Sequence, residues 1–201
     1  MKLPGVLLAL AVALALAFFV LAAFAASGRV FSLDYTAQAL VQGGRHPVLE
    51  APMRALTLLG SGWVLALLAV PGWWLLRRAG HPLARALPAL VAGGFLLNVL
   101  TKWLVARPRP RLTQYGFPSG HALGAVIFFG ALIYVLWTVP LSRGRRWAGT
   151  LASCLLLAAV AYSRLYLKVH WASDVAGGLT GGAAWLLVVL VALDRRLRRP
   201  P

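Results

Sequence analysis

Residues 107–121 read RPRPRLTQYGFPSGH, a basic and proline-rich stretch between two apolar blocks, Ala86–Val105 and Ser119–Val139. Each block has about the 20 residues that a helix needs to cross the hydrocarbon core of a bilayer. Proline at two alternating positions prevents the helix of the first block from continuing into the link. The contrast predicts two membrane-spanning helices joined by a short, cationic, non-helical connection.

The same alternation extends along the whole chain, which is 61% hydrophobic and has a mean hydropathy of +0.80. The apolar blocks are Pro4–Ala26, Met53–Leu76, Ala86–Val105, Ser119–Val139, Trp147–Ser163 and Asp174–Leu193. Only two links are long, Ser27–Pro52 and Ala106–Pro118. We therefore predict an all-α polytopic membrane protein, with six transmembrane helices in one bundle and a single membrane-embedded domain over residues 1–201.

The net charge of +16, from 20 Lys and Arg against 4 Asp and Glu, would suggest nucleic-acid binding in a soluble protein. Here the cations form short clusters between apolar blocks, so we expect no nucleic-acid partner. The single cysteine, Cys154, lies in an apolar run, which excludes a disulfide within the chain and favours a small buried hydrophobic residue.

Orientation follows from the cations in the links. With both termini cytoplasmic, eleven cations lie inside and nine outside, but six of the nine occupy or flank two links, Lys102–Arg111 and Arg164–Lys168. Without those six the count is eleven to three, a clear positive-inside pattern. The two exceptional links are expected to face outward and to meet an anionic group. The first block, with Lys2 and AFAAS, also resembles a secretory signal, although its length favours a retained helix.

Three groups of residues on this outer face carry candidate chemistry. Lys102 ends the third block, and Pro108 and Pro110 hold Arg107 and Arg109 in a stiff extended strip. The alternative interpretation of these cations is contact with anionic headgroups.

The second group is Pro118–His121. Ser119 is a natural helix N-cap, Gly120 allows an anion to approach the backbone, and His121 falls in the first turn. Free N–H groups at a helix start attract anions. The alternative is an ordinary cap followed by an interfacial histidine.

The third group is the segment Ser163–Asp174. His170 and Asp174 are four residues apart, so a helix would place them on one face. A carboxylate that holds one imidazole nitrogen leaves the other free to attack, and Arg164 offers a fork for phosphate oxygens. The alternative is a helix-capping aspartate with an incidental histidine.

Together the groups supply what phosphoryl transfer requires: cations, N–H donors, a nucleophile and a proton donor. The sequence has no carboxylate cluster suited to magnesium and no Cys/His set suited to zinc. We predict catalysis by a histidine nucleophile without metal or other cofactor.

The spacing of these residues resembles the three-part signature of the type 2 phosphatidic acid phosphatase superfamily. The parts are Lys102-x6-Arg109-Pro110, Pro118-Ser119-Gly120-His121 and Ser163-Arg164-x5-His170-x3-Asp174. The resemblance implies that His170 is the nucleophile, that Asp174 holds it, and that His121 protonates the leaving group. It also implies a phosphate-binding set of Lys102, Arg109, Ser119, Gly120 and Arg164.

The resemblance further implies a lipid phosphate substrate in a bacterial inner membrane, with the site on the extracytoplasmic side. Undecaprenyl diphosphate and phosphatidylglycerol phosphate come first, followed by phosphatidate and diacylglycerol diphosphate. The alternatives are a lipid phosphotransferase that uses the same site and, outside enzymes, an anionic-lipid-binding transporter or scaffold. Oligomeric state is left open.

Several residues outside the signature have weaker interpretations. Arg107, Arg111 and Lys168 are assigned to an electrostatic funnel or headgroup contacts, with no role as the equal alternative. Asn98 is assigned to an interhelical hydrogen bond, and the glycine pairs Gly177–Gly178 and Gly181–Gly182 to close helix packing. The segment Ser27–Pro52 is expected to be a long outer loop, and its role is left open apart from the hypothesis of a lid over the site.

Overall fold

The computed structural model describes residues 3–110 and 115–198, and Lys2, Arg111 and Arg199 lie outside the described residues. In these ranges the chain forms helices and no strand, and one isolated antiparallel bridge joins Pro108 to Tyr115. The helices are α1 (Leu3–Ala26), α2 (Ser32–Gly43), α3 (Pro47–Leu58), α4 (Gly62–Arg78), α5 (Leu83–Val105), α6 (Gly120–Thr138), α7 (Arg143–Tyr166) and α8 (Ala172–Leu197).

The predicted all-α membrane architecture is confirmed. Five helices (α1, α5, α6, α7 and α8) are long and apolar enough to cross a bilayer, and α3 with α4 forms a sixth candidate span with a 47° bend. The prediction of one continuous helix over Met53–Leu76 is wrong, because this block breaks between Leu58 and Gly62. A Cβ at Gly60 would lie 3.0 Å from the carbonyl oxygen of His121, so the break brings the chain against the start of α6.

The segment Ser27–Pro52, expected to be a loop, contains α2 and the first turns of α3. Gln42 Nε2 donates to the carbonyl oxygens of Leu165 and Tyr166, at 3.2 and 3.1 Å, and so ties α2 to the end of α7. The Tyr166 hydroxyl donates to the His46 carbonyl and accepts from the His46 N–H, at 2.8 and 3.0 Å. These bonds fix α2 and the start of α3 against the end of α7.

Close packing of α6 against α8 aligns the starts of the two helices. A Cβ at Gly178 would lie 2.5 Å from the Ser119 carbonyl oxygen, and one at Gly182 would lie 2.8 Å from the Leu123 carbonyl oxygen. Two small residues four apart thus let α8 touch the α6 backbone, as predicted from the glycine pairs. The Ser119 N–H also donates to the Asp174 carbonyl at 2.9 Å.

Helix α1 packs along α8 and buries Phe18 and Ala25, and the Phe18 ring lies 5.8 Å from the ring of Phe117. Whether α1 is retained stays a prediction. Cys154, predicted to be buried, is exposed on the outer surface of α7. In a membrane protein that surface faces lipid, where an apolar sequence context does not imply burial in the protein.

Candidate active site

The ends of α5, α6, α7 and α8 bring the three sequence groups together. His121 experiences the charges of Lys102, Arg109, Arg164 and His170, and those of Arg109, Arg164 and Asp174 act on His170. Residues that are up to 72 positions apart in the chain therefore form one cluster on one face.

His170 and Asp174 are in contact, although not in the predicted way. His170 lies two residues before α8 rather than on its face, and its Nδ1 is 3.4 Å from Asp174 Oδ2. The same oxygen accepts the Trp171 N–H at 3.0 Å. Burial lowers the pKa of His170 to about 4, while the hydrogen bond to Asp174 acts in the opposite direction. The ring is therefore neutral at pH 7, with Nδ1–H directed at the carboxylate and Nε2 left free.

Ser119 caps α6, as the sequence predicts, and its hydroxyl accepts the Ala122 N–H at 3.5 Å. Helix α6 begins at Gly120, so the N–H groups of its first turn point toward the cluster. A Cβ at Gly120 would lie 3.1 Å from both amide atoms of Asn98. The Asn98 Oδ1 is buried and has no hydrogen-bond partner among the described residues, in contrast to the predicted interhelical bond.

Lys102 and Arg109 are both held by carbonyl groups of the segment before α6. Lys102 Nζ donates to the Pro118 carbonyl at 2.7 Å, and Arg109 Nε donates to the Tyr115 carbonyl at 3.1 Å. Burial lowers the pKa of Arg109, opposed by the negative charge of Asp174, but a guanidinium remains protonated at neutral pH. These contacts aim two cations at the start of α6.

Arg164 approaches the cluster from the last turn of α7 and is buried. Its Nη1 donates to the Thr57 hydroxyl in α3, while its Nε is buried without a partner in the described part of the chain. The bent α3–α4 pair thus supplies Thr57 to orient Arg164 and Gly60 to contact His121. Thr57 was not identified from the sequence.

Arg107 is not a funnel or headgroup residue, because its side chain is only 1% exposed. Its Nη2 lies 2.9 Å from Asp34 Oδ2 and its Nη1 lies 2.8 Å from Asp174 Oδ1. The sequence contains only four acidic residues. Asp34 was not identified from the sequence, although the scarcity of acidic residues near the membrane is a signal that could have identified it.

Within residues 3–110 and 115–198, no three His, Cys, Asp or Glu side chains come together in a way that would hold a metal ion.

A cavity of about 480 Å3 extends from this cluster between α4, α5 and α6. Its upper end is formed by Asn98 and Gly120, and its lower end by Leu76, Leu83 and Val135. Asn98 is the one polar side chain in its described lining, which is otherwise aliphatic, aromatic or glycine. From Gly120 to Val135 the cavity follows about 22 Å of helix α6.

Comparison with known proteins places the chain in a family. The sequence model of the PAP2 superfamily matches residues 82–198, more than half of the chain. The chain belongs to the PAP2 superfamily. The resemblance seen in the three motifs is thereby confirmed. The similarity of this PAP2 protein to individual relatives also extends beyond residues 82–198.

Phosphatidylglycerophosphatase B of Bacillus subtilis (strain 168) is 30% identical over 200 residues, which cover 94% of this chain and 96% of the relative. The putative undecaprenyl-diphosphatase YbjG of Escherichia coli (strain K12) is 33% identical over 59% of this chain and 61% of the relative. A crystal structure of a transmembrane PAP2 type phosphatidylglycerolphosphate phosphatase from Bacillus subtilis matches with a TM-score of 0.80 and 26% identity, over 100% of both chains. These relatives support a membrane phosphatase of the PAP2 type.

Proposed function

We propose that this PAP2 protein is a lipid phosphatase that hydrolyses a lipid phosphate monoester or diphosphate through a phosphohistidine on His170. The observation that carries the proposal is the buried His170–Asp174 contact in a cluster that also contains His121, three cations and the N-terminus of α6. A neutral imidazole held by a carboxylate is an activated nucleophile, and the surrounding positive charge suits a phosphoryl group.

In the first step, Nε2 of His170 attacks phosphorus and the bond from phosphorus to the leaving oxygen breaks. Nδ1–H remains hydrogen-bonded to Asp174, which stabilises the positive charge that develops on the ring. His121 donates a proton to the leaving oxygen of the lipid alcohol or lipid phosphate. Lys102, Arg109, Arg164, the Ser119 hydroxyl and the Gly120 N–H bind the phosphoryl oxygens.

In the second step, water attacks the phosphohistidine and the bond from nitrogen to phosphorus breaks. His121, now neutral, accepts a proton from that water, inorganic phosphate leaves, and both histidines return to their starting states. A lipid acceptor in place of water would give phosphotransfer, and no described contact favours that outcome.

The apolar cavity supports a lipid substrate. It meets the cluster at Gly120, and rim residues such as Phe95 are 64% exposed, so it opens sideways toward the hydrocarbon of the bilayer. A lipid could place its hydrocarbon chain against α6, where the chain would remain in an apolar environment, and its phosphate headgroup beside His121. Asn98 would lie where the chain meets the phosphate ester.

For the substrate itself we propose phosphatidylglycerol phosphate first and undecaprenyl diphosphate second, with phosphatidate and diacylglycerol diphosphate after them. The order is supported by the relative that aligns over 96% of its length, which is named for phosphatidylglycerophosphate, whereas YbjG aligns over 61%.

For orientation we propose a bacterial inner membrane with cytoplasmic termini and an extracytoplasmic site. The test uses Lys168→Cys and Arg143→Cys, each in a Cys154→Ala background, labelled in spheroplasts with a membrane-impermeant maleimide. Labelling of the Lys168→Cys chain alone supports the orientation, since these residues flank opposite ends of α7. Labelling of the Arg143→Cys chain alone would reverse it.

The function is tested by phosphate release from the detergent-purified protein with EDTA present, on phosphatidylglycerol phosphate, undecaprenyl diphosphate and phosphatidate. His170→Ala should reduce release by more than about a hundredfold, and 32P label should be recovered as acid-labile phosphohistidine only from the parent protein. His81→Ala is the matched control, because His81 contacts Thr138 at the opposite end of α6. Equal release by His170→Ala, or release from none of the lipids, would overturn the proposal.

A further inference from the structure

A buried ionic network lies behind the candidate nucleophile. Arg107 donates to Asp174 Oδ1 and to Ser173 Oγ, at 2.8 and 2.7 Å, through the same terminal nitrogen. Its other terminal nitrogen donates to Asp34 Oδ2 at 2.9 Å and to the Arg29 carbonyl at 3.2 Å. The exposed fractions of Arg107, Asp34 and Asp174 are 1%, 1% and 0%.

Asp34 is as firmly held as Arg107. Its Oδ1 accepts the Ser173 N–H at 2.7 Å and its Oδ2 accepts the Ser173 hydroxyl at 2.7 Å. Removing one partner from a buried ion pair leaves the other charge uncompensated, which makes such networks sensitive to single substitutions. Helix α2 is therefore joined, through one arginine and one serine, to the residue that contacts His170.

The two carboxylate oxygens of Asp174 have different hydrogen-bond partners in this network. Oδ1 is fixed by Arg107, so Oδ2 is left to the Trp171 N–H and the imidazole of His170. Because a carboxylate is planar, fixing one oxygen fixes the direction of the other. By fixing the Asp174 carboxylate, Arg107 thereby determines the direction from which Oδ2 contacts the His170 ring.

The network also sets the charge that His170 faces. Arg107 paired with Asp174 alone would sum to zero, and such a neutral pair would stabilise a developing imidazolium poorly. Asp34 adds a second negative charge on the far side of Arg107, and the set of three carries a net charge of −1. Asp34 thus preserves the negative character of Asp174 at the ring.

We propose that Arg107 and Asp34, neither of them in the phosphate-binding signature, are positioning residues that orient the Asp174 carboxylate and maintain its charge for His170. This inference rests on the proposed function of the site. The competing explanation is that the network only anchors α2 to the start of α8 and has no effect on the histidine.

The test compares Asp34→Asn, which retains the shape and one carbonyl oxygen of the side chain, with Arg107→Lys. The matched control is Gln42→Ala, which removes two bonds between α2 and α7 and touches neither Asp174 nor Arg107. We expect Asp34→Asn and Arg107→Lys to lower the rate of phosphohistidine formation by about tenfold with KM unchanged. Gln42→Ala should lower the thermal unfolding midpoint but leave that rate within about twofold.

Two further measurements separate positioning from anchoring. In an Asp174→Asn background, Asp34→Asn should change the rate by less than about twofold, since residues that act through a shared partner are not additive. By 15N NMR of the His170 ring, Asp34→Asn should lower the population with the proton on Nδ1. A full tenfold loss in the Asp174→Asn background, or an unchanged ring population, would overturn the inference while His170-dependent hydrolysis by the parent protein still upheld the proposed function.

Discussion

The close packing of Gly178 in α8 against the start of α6 allows a quantitative test of how helix packing positions the site. In Gly178→Ala the new Cβ would lie 2.5 Å from the Ser119 carbonyl oxygen and 3.1 Å from the Leu123 nitrogen. Both are backbone atoms, so neither can rotate away as the tip of a side chain would. The two helices must separate instead.

The size of the effect follows from these distances. Ordinary contact begins near 3.4 Å, so the helices would have to separate by roughly 0.9 Å at this point. Overpacking of this kind costs about 1–3 kcal/mol of stability. The same displacement stretches the 2.9 Å bond from the Ser119 N–H to the Asp174 carbonyl. Because a 1 Å misplacement of reacting groups can cost about a hundredfold in rate, we expect kcat to fall at least tenfold.

The assay is phosphate release at saturating lipid, together with the thermal unfolding midpoint in the same detergent. Gly144→Ala is the control, since nothing lies within 4 Å of a Cβ at that position of α7, and it should leave both quantities unchanged or slightly improved. A Gly178→Ala protein with kcat within twofold of the parent would refute the idea that this contact sets the spacing of His121 and His170.

Three other predictions concern the proposed nucleophile, the cavity and the anchoring of α2 and α3. Because burial lowers the pKa of His170 to about 4, its imidazole should stay neutral as pH falls through 6.5 and become protonated only near pH 4, where the proposed nucleophile would be lost. 13C NMR of histidine-labelled protein, assigned with His170→Gln, checks this prediction, and titration of His170 near pH 6.5 would contradict it. Gly124→Leu places a bulky side chain in the cavity beside Leu65. KM for a long-chain lipid should therefore rise about tenfold, whereas kcat/KM for p-nitrophenyl phosphate, which has no hydrocarbon chain, should stay within about twofold. Parallel losses on both substrates would argue against a cavity that binds the hydrocarbon chain. Tyr166→Phe removes the hydroxyl that bridges the N–H and carbonyl of His46, which should cost about 1–3 kcal/mol; an unchanged unfolding midpoint would show that α2 and α3 are held by other contacts.

The sequence predicted the spans and the three motifs because both signals are local. A block of about twenty apolar residues specifies a membrane helix by itself, and a Ser-Gly pair before such a block specifies a capped start. The glycine pairs of α8 also indicated close packing, although they did not identify α6 as the neighbour. Each of these inferences needed only adjacent residues.

The environment of Arg107 could not be predicted from the residues adjacent to it in the sequence. It lies two residues from Arg109, is of the same type and is also followed by proline, yet Arg109 contacts the Tyr115 carbonyl near the site and Arg107 is buried behind it. The difference comes from Asp34, which lies 73 positions away in a segment expected to be a loop. The break at Gly60 is a similar case, since a Cβ at this position would lie close to His121 and Val160, which belong to other helices.

Because the apolar cavity opens sideways to the bilayer, the relevant substrate concentration for this protein is the one in the membrane. A substrate whose chain enters this cavity from the bilayer is delivered by lateral diffusion. The rate should therefore depend on the mole fraction of the substrate in the membrane and not on its amount per volume of buffer. Adding inert detergent at a fixed bulk amount of lipid should therefore slow the reaction by surface dilution. In a cell, the same protein would respond to the composition of the leaflet that surrounds it.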